Sequence, residues 1–352
     1  MIRLSICIAT RNRSDFLLET VNCILGQVNN EVEIIIVDGA SSDGSKEKIE
    51  AINTSSTMLK YFYEDHNSGV DRDFDKSVEY ASGEYCWLFS DDDLLMPNAI
   101  SSVINALKTD PEFLIVNSSI HTKYFENTLA EKALKFDSDR VYNCQAEQAF
   151  LDLGAYLSFI GAIVVKRSFW LARHRKVYHG SAFAHLGVLF QAPLPTQIKF
   201  LNSPLIKIRY GNSDWAPRGF KIWTQQWPNL VMMLENLPYK LRKKVANNKP
   251  LELFKFCILY RGMGLYSLDI YKKSVQGNHS KFTDLILKLI SVIPVKLLNI
   301  LLVLIFLKKD SSLVNVYRLS SSPAASKASR WAFFKFGIEA SDKVKSKPFN
   351  RQ

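Results

Sequence analysis

The chain has no CxxC pair, and its five cysteines, Cys7, Cys23, Cys86, Cys144 and Cys257, are scattered and odd in number. That pattern excludes a zinc ribbon and a disulfide framework, and reads as reduced core residues in a reducing, cytoplasmic compartment. No GxGxxG follows the first apolar run, and GxxxxGK[ST], HExxH and GxSxG are all missing. The usual dinucleotide, P-loop, zinc-protease and nucleophile-elbow readings therefore have no support. Low-complexity tracts and internal repeats are also lacking. The opening "MIRLSICIATRNR" turns polar too soon for a signal peptide and reads as a first strand, so secretion is not expected.

What is present is an ordinary globular composition, 352 residues with 47% hydrophobic and 22% charged positions. That length has room for an α/β domain plus a substantial further region. The net charge of +11 is unevenly placed. Residues 241–352 hold 21 Lys and Arg against 6 Asp and Glu, a surplus of +15, and the rest of the chain is slightly acidic. Basicity alone would suit a nucleic-acid protein, but this third contains "LILKLISVIPVKLLNILLVLIFLKK", residues 285–309. The run is long enough to span a bilayer, yet Lys288, Pro294, Lys296 and Asn299 interrupt it. A helix lying on the membrane surface, kinked at Pro294 with lysines toward anionic lipid, fits this pattern. A buried helix pair and a true span are the alternatives.

The first hundred residues alternate β-rich and amphipathic segments. "LSICIAT" (4–10), "VEIIIVD" (32–38), "LKYFYED" (59–65) and "EYCWLFSDDD" (84–93) read as strands. Helices fall between them, the first capped by Ser14. This βαβαβαβ series predicts an α/β fold with a doubly wound, mostly parallel sheet flanked by helices. Further strands are expected at 113–119 and within 154–170, and beyond about 220 the chain reads as helical and basic. In doubly wound sheets ligands bind beyond the carboxyl ends of the strands. Thr10-Arg11-Asn12, Asp38 and Asp91-Asp92-Asp93 all sit at those ends.

Three adjacent carboxylates repel one another, which costs stability unless a cation or a set of donors faces them. A helix start or turn would explain a single Asp; three behind a buried strand point to a site. Oxygen ligands suit Mg²⁺ or Mn²⁺, and such a cation pairs naturally with a diphosphate. It would neutralise charge on a departing nucleoside diphosphate. Asp38 is placed to accept hydrogen bonds from a base or ribose, with Thr10 and Arg11 flanking it. The residues alone thus suggest a metal-dependent enzyme acting on a nucleotide-activated substrate.

The series "SICIATRNR", "VDGASSDGS", "NSG" and "ASGEYCWLFSDDD", in this order and spacing, resembles the nucleotide-binding half of family 2 glycosyltransferases. "GVDRDF", "YCWLFSDDD", "FAHLG" and "RYGN" are similar to the branch of abequosyltransferase-like O-antigen enzymes. The resemblance implies a GT-A fold, with a glycosyltransferase domain over 1–220 (a nucleotide half 1–100, an acceptor half 101–220) and a helical, basic, membrane-associating region over 221–352. It implies that Thr10, Arg11 and Asn12 open the nucleotide pocket and that Asp38 binds the base, while Asp43 shapes the turn. Asp71 and Arg72 line the diphosphate and sugar. Asp91 and Asp93 form the metal pair of a DXD-type site, with Asp92 near the ribose and Asp93 also counted as catalytic.

The family often places a carboxylate on the acceptor side, whereas "HGSAFAHLGVLF" offers none. His185 is the expected general base there, with His179 as competitor; imidazole suits proton abstraction near neutral pH. Arg209, Asn212, Asp214 and Trp215 are expected to close over donor or acceptor. The implied partners are a nucleotide-diphosphate sugar, a lipid-linked oligosaccharide acceptor and the inner face of the bacterial inner membrane, with no nucleic acid. The rival readings are a nucleotidyltransferase acting on sugar phosphates and a non-catalytic membrane- or nucleic-acid-binding module.

Overall fold

The computed structural model describes residues 1–53, 58–212, 218–246, 249–308 and 313–337. Its centre is a sheet whose strands are β1 (Leu4–Thr10), β2 (Val32–Asp38), β3 (Leu59–Tyr63), β4 (Tyr85–Phe89), β5 (Leu94–Leu95), β6 (Phe113–His121), β7 (Thr128–Ala130), β8 (Arg140–Asn143), β9 (Ile163–Lys166) and β10 (Gln197–Arg209). They lie in the order β3-β2-β1-β4-β9-β6-β10-β5, with β8 beside β10 and β7 beside β6. The first four are parallel, with β1 central between β2 and β4. β9 then enters antiparallel to both β4 and β6. The sheet is therefore mixed, parallel only among its first four strands.

Every residue of β1, β2 and β4 is buried, because helices cover both faces. The helices α1 (Ser14–Leu25), α2 (Ser45–Asn53), α3 (Val70–Tyr80) and α4 (Ala99–Ala106) alternate with the strands as the hydrophobic spacing predicts. The stretch 154–170 is less strand-like than its apolar run suggests. Two 3₁₀ turns lead into the four-residue β9, and a one-turn helix follows. One close approach fixes a glycine: a Cβ on Gly83 would lie 2.8 Å from the Ser5 backbone nitrogen of β1.

The chain divides into two compact units. One comprises 1–119, 132–208 and 229–246; the other comprises 120–131, 209–228 and 247–352. The boundary expected at 220 is thus crossed more than once, since 120–131 and 209–220 group with the C-terminal helices.

Within the second unit, helices Lys281–Val292 and Val295–Leu307 meet at a bend of 99° beside Pro294. Asn299 is fully buried among helix ends. Its Nδ2 donates to the carbonyls of Gly262 and Leu319, and its Oδ1 accepts from Ser329 Oγ. Phe282, Leu285, Leu289 and Val292 form an exposed stripe at three- and four-residue spacing, and Leu297, Leu301, Leu304 and Ile305 another. Among the described residues no single helix is long and apolar enough to cross a membrane.

Candidate active site

The register of the parallel strands brings the polar clusters together. Thr10 pairs with Asp38 at the end of β1 and β2, and Ile8 pairs with Phe89, the last residue of β4. Two residues further along each chain come Thr10 and Asp91, and Thr10 Oγ1 donates to Asp91 Oδ2 at 2.7 Å. Asn12, in a left-handed conformation (φ +54°), ties the first loop to the second. Its Oδ1 accepts from the Ser42 N–H and its own N–H donates to Ser41 Oγ, each at 2.8 Å. Asp38 is fully buried, accepting from the Ser41 N–H at 2.7 Å and from the Tyr61 hydroxyl. It orders the loop that follows β2.

The carboxylate triplet finds its cation inside the protein. Arg13 Nε donates to Asp91 Oδ1 at 3.1 Å and its terminal nitrogen to Asp92. Burial and the neighbouring Asp92 push the Asp91 carboxyl up to about 7 even with Arg13 and Thr10 opposing them, so this pair is short of positive charge. The side chains of Asp91 and Asp92 remain 12% and 18% exposed, whereas Asp93 is 2% exposed. The accessible carboxylates are therefore adjacent, Asp91 with Asp92, one register from the alternating pair expected from the sequence. Arg13 is the residue that sequence reasoning missed. Its signal was the triplet itself, which needs a counter-charge whether or not a metal comes.

Asp43 does more than shape its turn. Its Oδ2 accepts from the Ser14 N–H at 2.8 Å, so it closes the start of α1 from 29 residues away. The expected cap, Ser14, is the first helical residue and makes no cap bond of its own. Although burial raises the Asp43 carboxyl, bonds from Ser45 and Ser14 hold it below the usual carboxylate range. Arg11 and Arg72 are both exposed.

The residues expected on the acceptor side lie deeper. His185, on α7 (Ala184–Phe190, following α5 at Ala146–Leu153 and α6 at Arg167–Leu171), is 2% exposed. Its Nε2 lies 2.8 Å from the Leu157 carbonyl, which only an Nε2–H can satisfy. Nδ1 is thereby left as a buried lone pair without a partner. Burial lowers the ring's pKa to about 4, so it is a neutral imidazole. His179 Nε2 lies 3.2 Å from Asp75 Oδ2, in a cluster where Asp75 also accepts from Trp170 Nε1 and Arg175. Arg209 is buried in the second unit, donating to the Lys123 carbonyl and stacking 4.3 Å over Phe125. Asp214 and Trp215 lie outside the described residues.

Four parallel strands ending in this polar edge, continued by antiparallel strands, form the GT-A architecture of glycosyltransferases. The chain matches, over residues 5–161, the model of the family described as glycosyl transferase family 2. It is 27% identical over 231 residues to an abequosyltransferase of Salmonella typhimurium, covering 61% of this chain and 69% of that protein. It is 30% identical over 105 residues to a GalNAc(5)-diNAcBac-PP-undecaprenol β-1,3-glucosyltransferase of Campylobacter jejuni, covering 30% of this chain and 34% of that one. Among solved structures, S. aureus TarS 1–349 with UDP-GlcNAc superposes with a TM-score of 0.54 at 10% identity, over 99% of this chain and 93% of the other, which shows the shared fold.

Proposed function

We propose that the chain is an inverting transferase that moves a sugar from a nucleoside-diphosphate donor to a lipid-linked saccharide, in the assembly of an O-antigen-type surface polysaccharide. The observation that carries this reading is the edge built by Thr10, Arg13, Asp91 and Asp92. Two accessible carboxylates meet there on one guanidinium and remain short of positive charge. The relatives named above supply the rest: one bears abequosyltransferase in its name and another an undecaprenol-linked acceptor.

An all-oxygen pair fits Mg²⁺ or Mn²⁺. No group of three His, Cys, Asp or Glu among the described residues encloses a metal by itself. Mg²⁺ is commonly held this way, by one or two carboxylates with substrate phosphate and water completing its shell. When bound at Asp91 and Asp92, the cation would supply charge neutralisation to the diphosphate. Arg11 and Arg72 donate to the diphosphate oxygens, and the Asp38-ordered loop receives the base. The acceptor hydroxyl gives its proton to His185, the imidazole expected as the base. Its oxygen bonds the anomeric carbon as the bond to the diphosphate breaks on the opposite face, and the nucleoside diphosphate leaves.

The exposed stripes of the bent helix pair, with Lys281, Lys288 and Lys296 exposed on those helices and Lys308 just beyond them, suit an anionic lipid surface. Such a surface would bring a lipid-linked acceptor to the enzyme.

Calorimetry of UDP, CDP, GDP and TDP with and without Mn²⁺, on the wild type and on Asp92→Asn, tests the reading. One diphosphate is expected to bind tightly, to need the cation and to be lost in the variant. Binding indifferent to both cation and Asp92 would overturn it.

A further inference from the structure

Asp71 stands in the sequence where the diphosphate was expected, but its carboxylate is wrapped by backbone from a distant segment. Oδ2 accepts from the Gly180 N–H at 2.8 Å and the Ala182 N–H at 3.0 Å, and Oδ1 from the Ala184 N–H at 3.4 Å. The amides converge because Gly180 and Ala182 are both left-handed, with φ of +86° and +66°. Alternate N–H groups, of residues 180, 182 and 184, point to one carboxylate, while those of Ser181 and Phe183 bond to Tyr178 O and Ser181 Oγ. Ala182 pays a steric cost in this conformation that glycine would not, so its surroundings must hold it there. The anion that does so belongs to the chain.

The turn leads straight into α7, whose second residue is His185. The helix has little freedom to drift, since a Cβ on Gly187 would lie 2.3 Å from the Tyr178 ring. The 180–184 turn leads into this helix, and three amides of the turn and the helix start bind Asp71. The next residue, Arg72, is exposed and left for the donor.

We propose that Asp71 is a positioning residue: an internal anion that fixes the 180–184 turn, and with it His185, and does not itself bind the donor. This rests on His185 taking the acceptor proton. Asparagine at position 71 keeps one acceptor oxygen but turns an NH₂ toward amides that are themselves donors, so the turn loosens while the helix remains.

The test compares Asp71→Asn, His185→Gln and the double variant by donor calorimetry, steady-state kinetics and amide hydrogen exchange. In Asp71→Asn we expect faster exchange at Gly180, Ala182 and Ala184, an unchanged donor dissociation constant, and a kcat lowered by up to about 100-fold, the scale of a misplaced catalytic group. The double variant should be no slower than His185→Gln alone. Weakened donor binding in Asp71→Asn would overturn the proposal and return Asp71 to the diphosphate. If His185→Gln is fully active while Asp71→Asn is slow with intact donor binding, the assignment of the base fails and the role of Asp71 in fixing the turn stands. If both variants behave as wild type, both readings fall. Should Asp71→Asn not fold, Asp71→Glu, which keeps the charge, is expected to bind donor normally with a reduced kcat; normal kcat there would overturn the proposal.

Discussion

Replacing Arg13 with glutamine tests the central feature of the site, because it removes the internal cation while keeping a side chain of similar reach. The three side chains involved, Arg13, Asp91 and Asp92, are 13%, 12% and 18% exposed. They sit between surface pairs, which contribute about 0–1 kcal/mol, and buried ones, whose breakage costs about 3–5 kcal/mol. A loss of about 2 kcal/mol follows, and for a unit of this size that lowers the melting temperature by about 4–8 °C. The two carboxylates, now facing one another without a counter-charge, should take up a divalent cation more readily than in the wild type. Thermal melts with and without Mg²⁺ read this directly: Mg²⁺ should restore a larger part of the melting temperature in Arg13→Gln than it adds to the wild type. Equal shifts in the two proteins, or an unchanged melting temperature in the variant, would refute the idea that Arg13 occupies a cation's place.

Three further expectations concern the frame of the site. Glu33 is buried, but Lys60, Ser5 and Ser82 hold its carboxyl below the usual range despite burial. A depressed folded pKa gives stability that is present above the unfolded value of about 4.3 and is lost as pH falls through the folded one. Wild type should therefore exceed Glu33→Gln in unfolding free energy at pH 7 and lose that lead at strongly acid pH; a gap independent of pH would contradict this. Asp43→Ala removes the acceptor at the start of α1 and should cost about 1 kcal/mol in urea unfolding, whereas Ser14→Ala, which makes no cap bond, should cost less. Gly83→Ala forces a Cβ to 2.8 Å from the Ser5 backbone nitrogen, so a loss of about 1–3 kcal/mol is expected, and a neutral result would show that β1 can shift.

Much of the fold was legible because its signals are local. The apolar runs at 4–10 and 32–38 coincide with β1 and β2, since a strand buried on both faces must be continuously hydrophobic. The bend at Pro294 was readable for the same reason, as proline cannot continue a helix through its own position. The convergence of Thr10, Asp38 and Asp91 followed from parallel topology, which sends every strand's carboxyl end to one edge.

The pairings within that edge were not legible, because sequence position carries no information about which distant group meets a charge. Arg13 meets Asp91 across 78 residues, Asp71 meets the Gly180 amide across 109, and Asp43 closes a helix that begins 29 residues earlier. His185 could be singled out as an imidazole on the acceptor side. Only packing decided that its ring is buried and neutral, with its Nε2 proton committed to Leu157. The sequence by itself determined the strands, their common edge and the residue types gathered there, because these depend on periodicity and topology. Tertiary structure decided which carboxylates remain accessible, which one is consumed by backbone amides and which imidazole is buried, because burial and hydrogen-bond partners exist only once the chain has closed on itself.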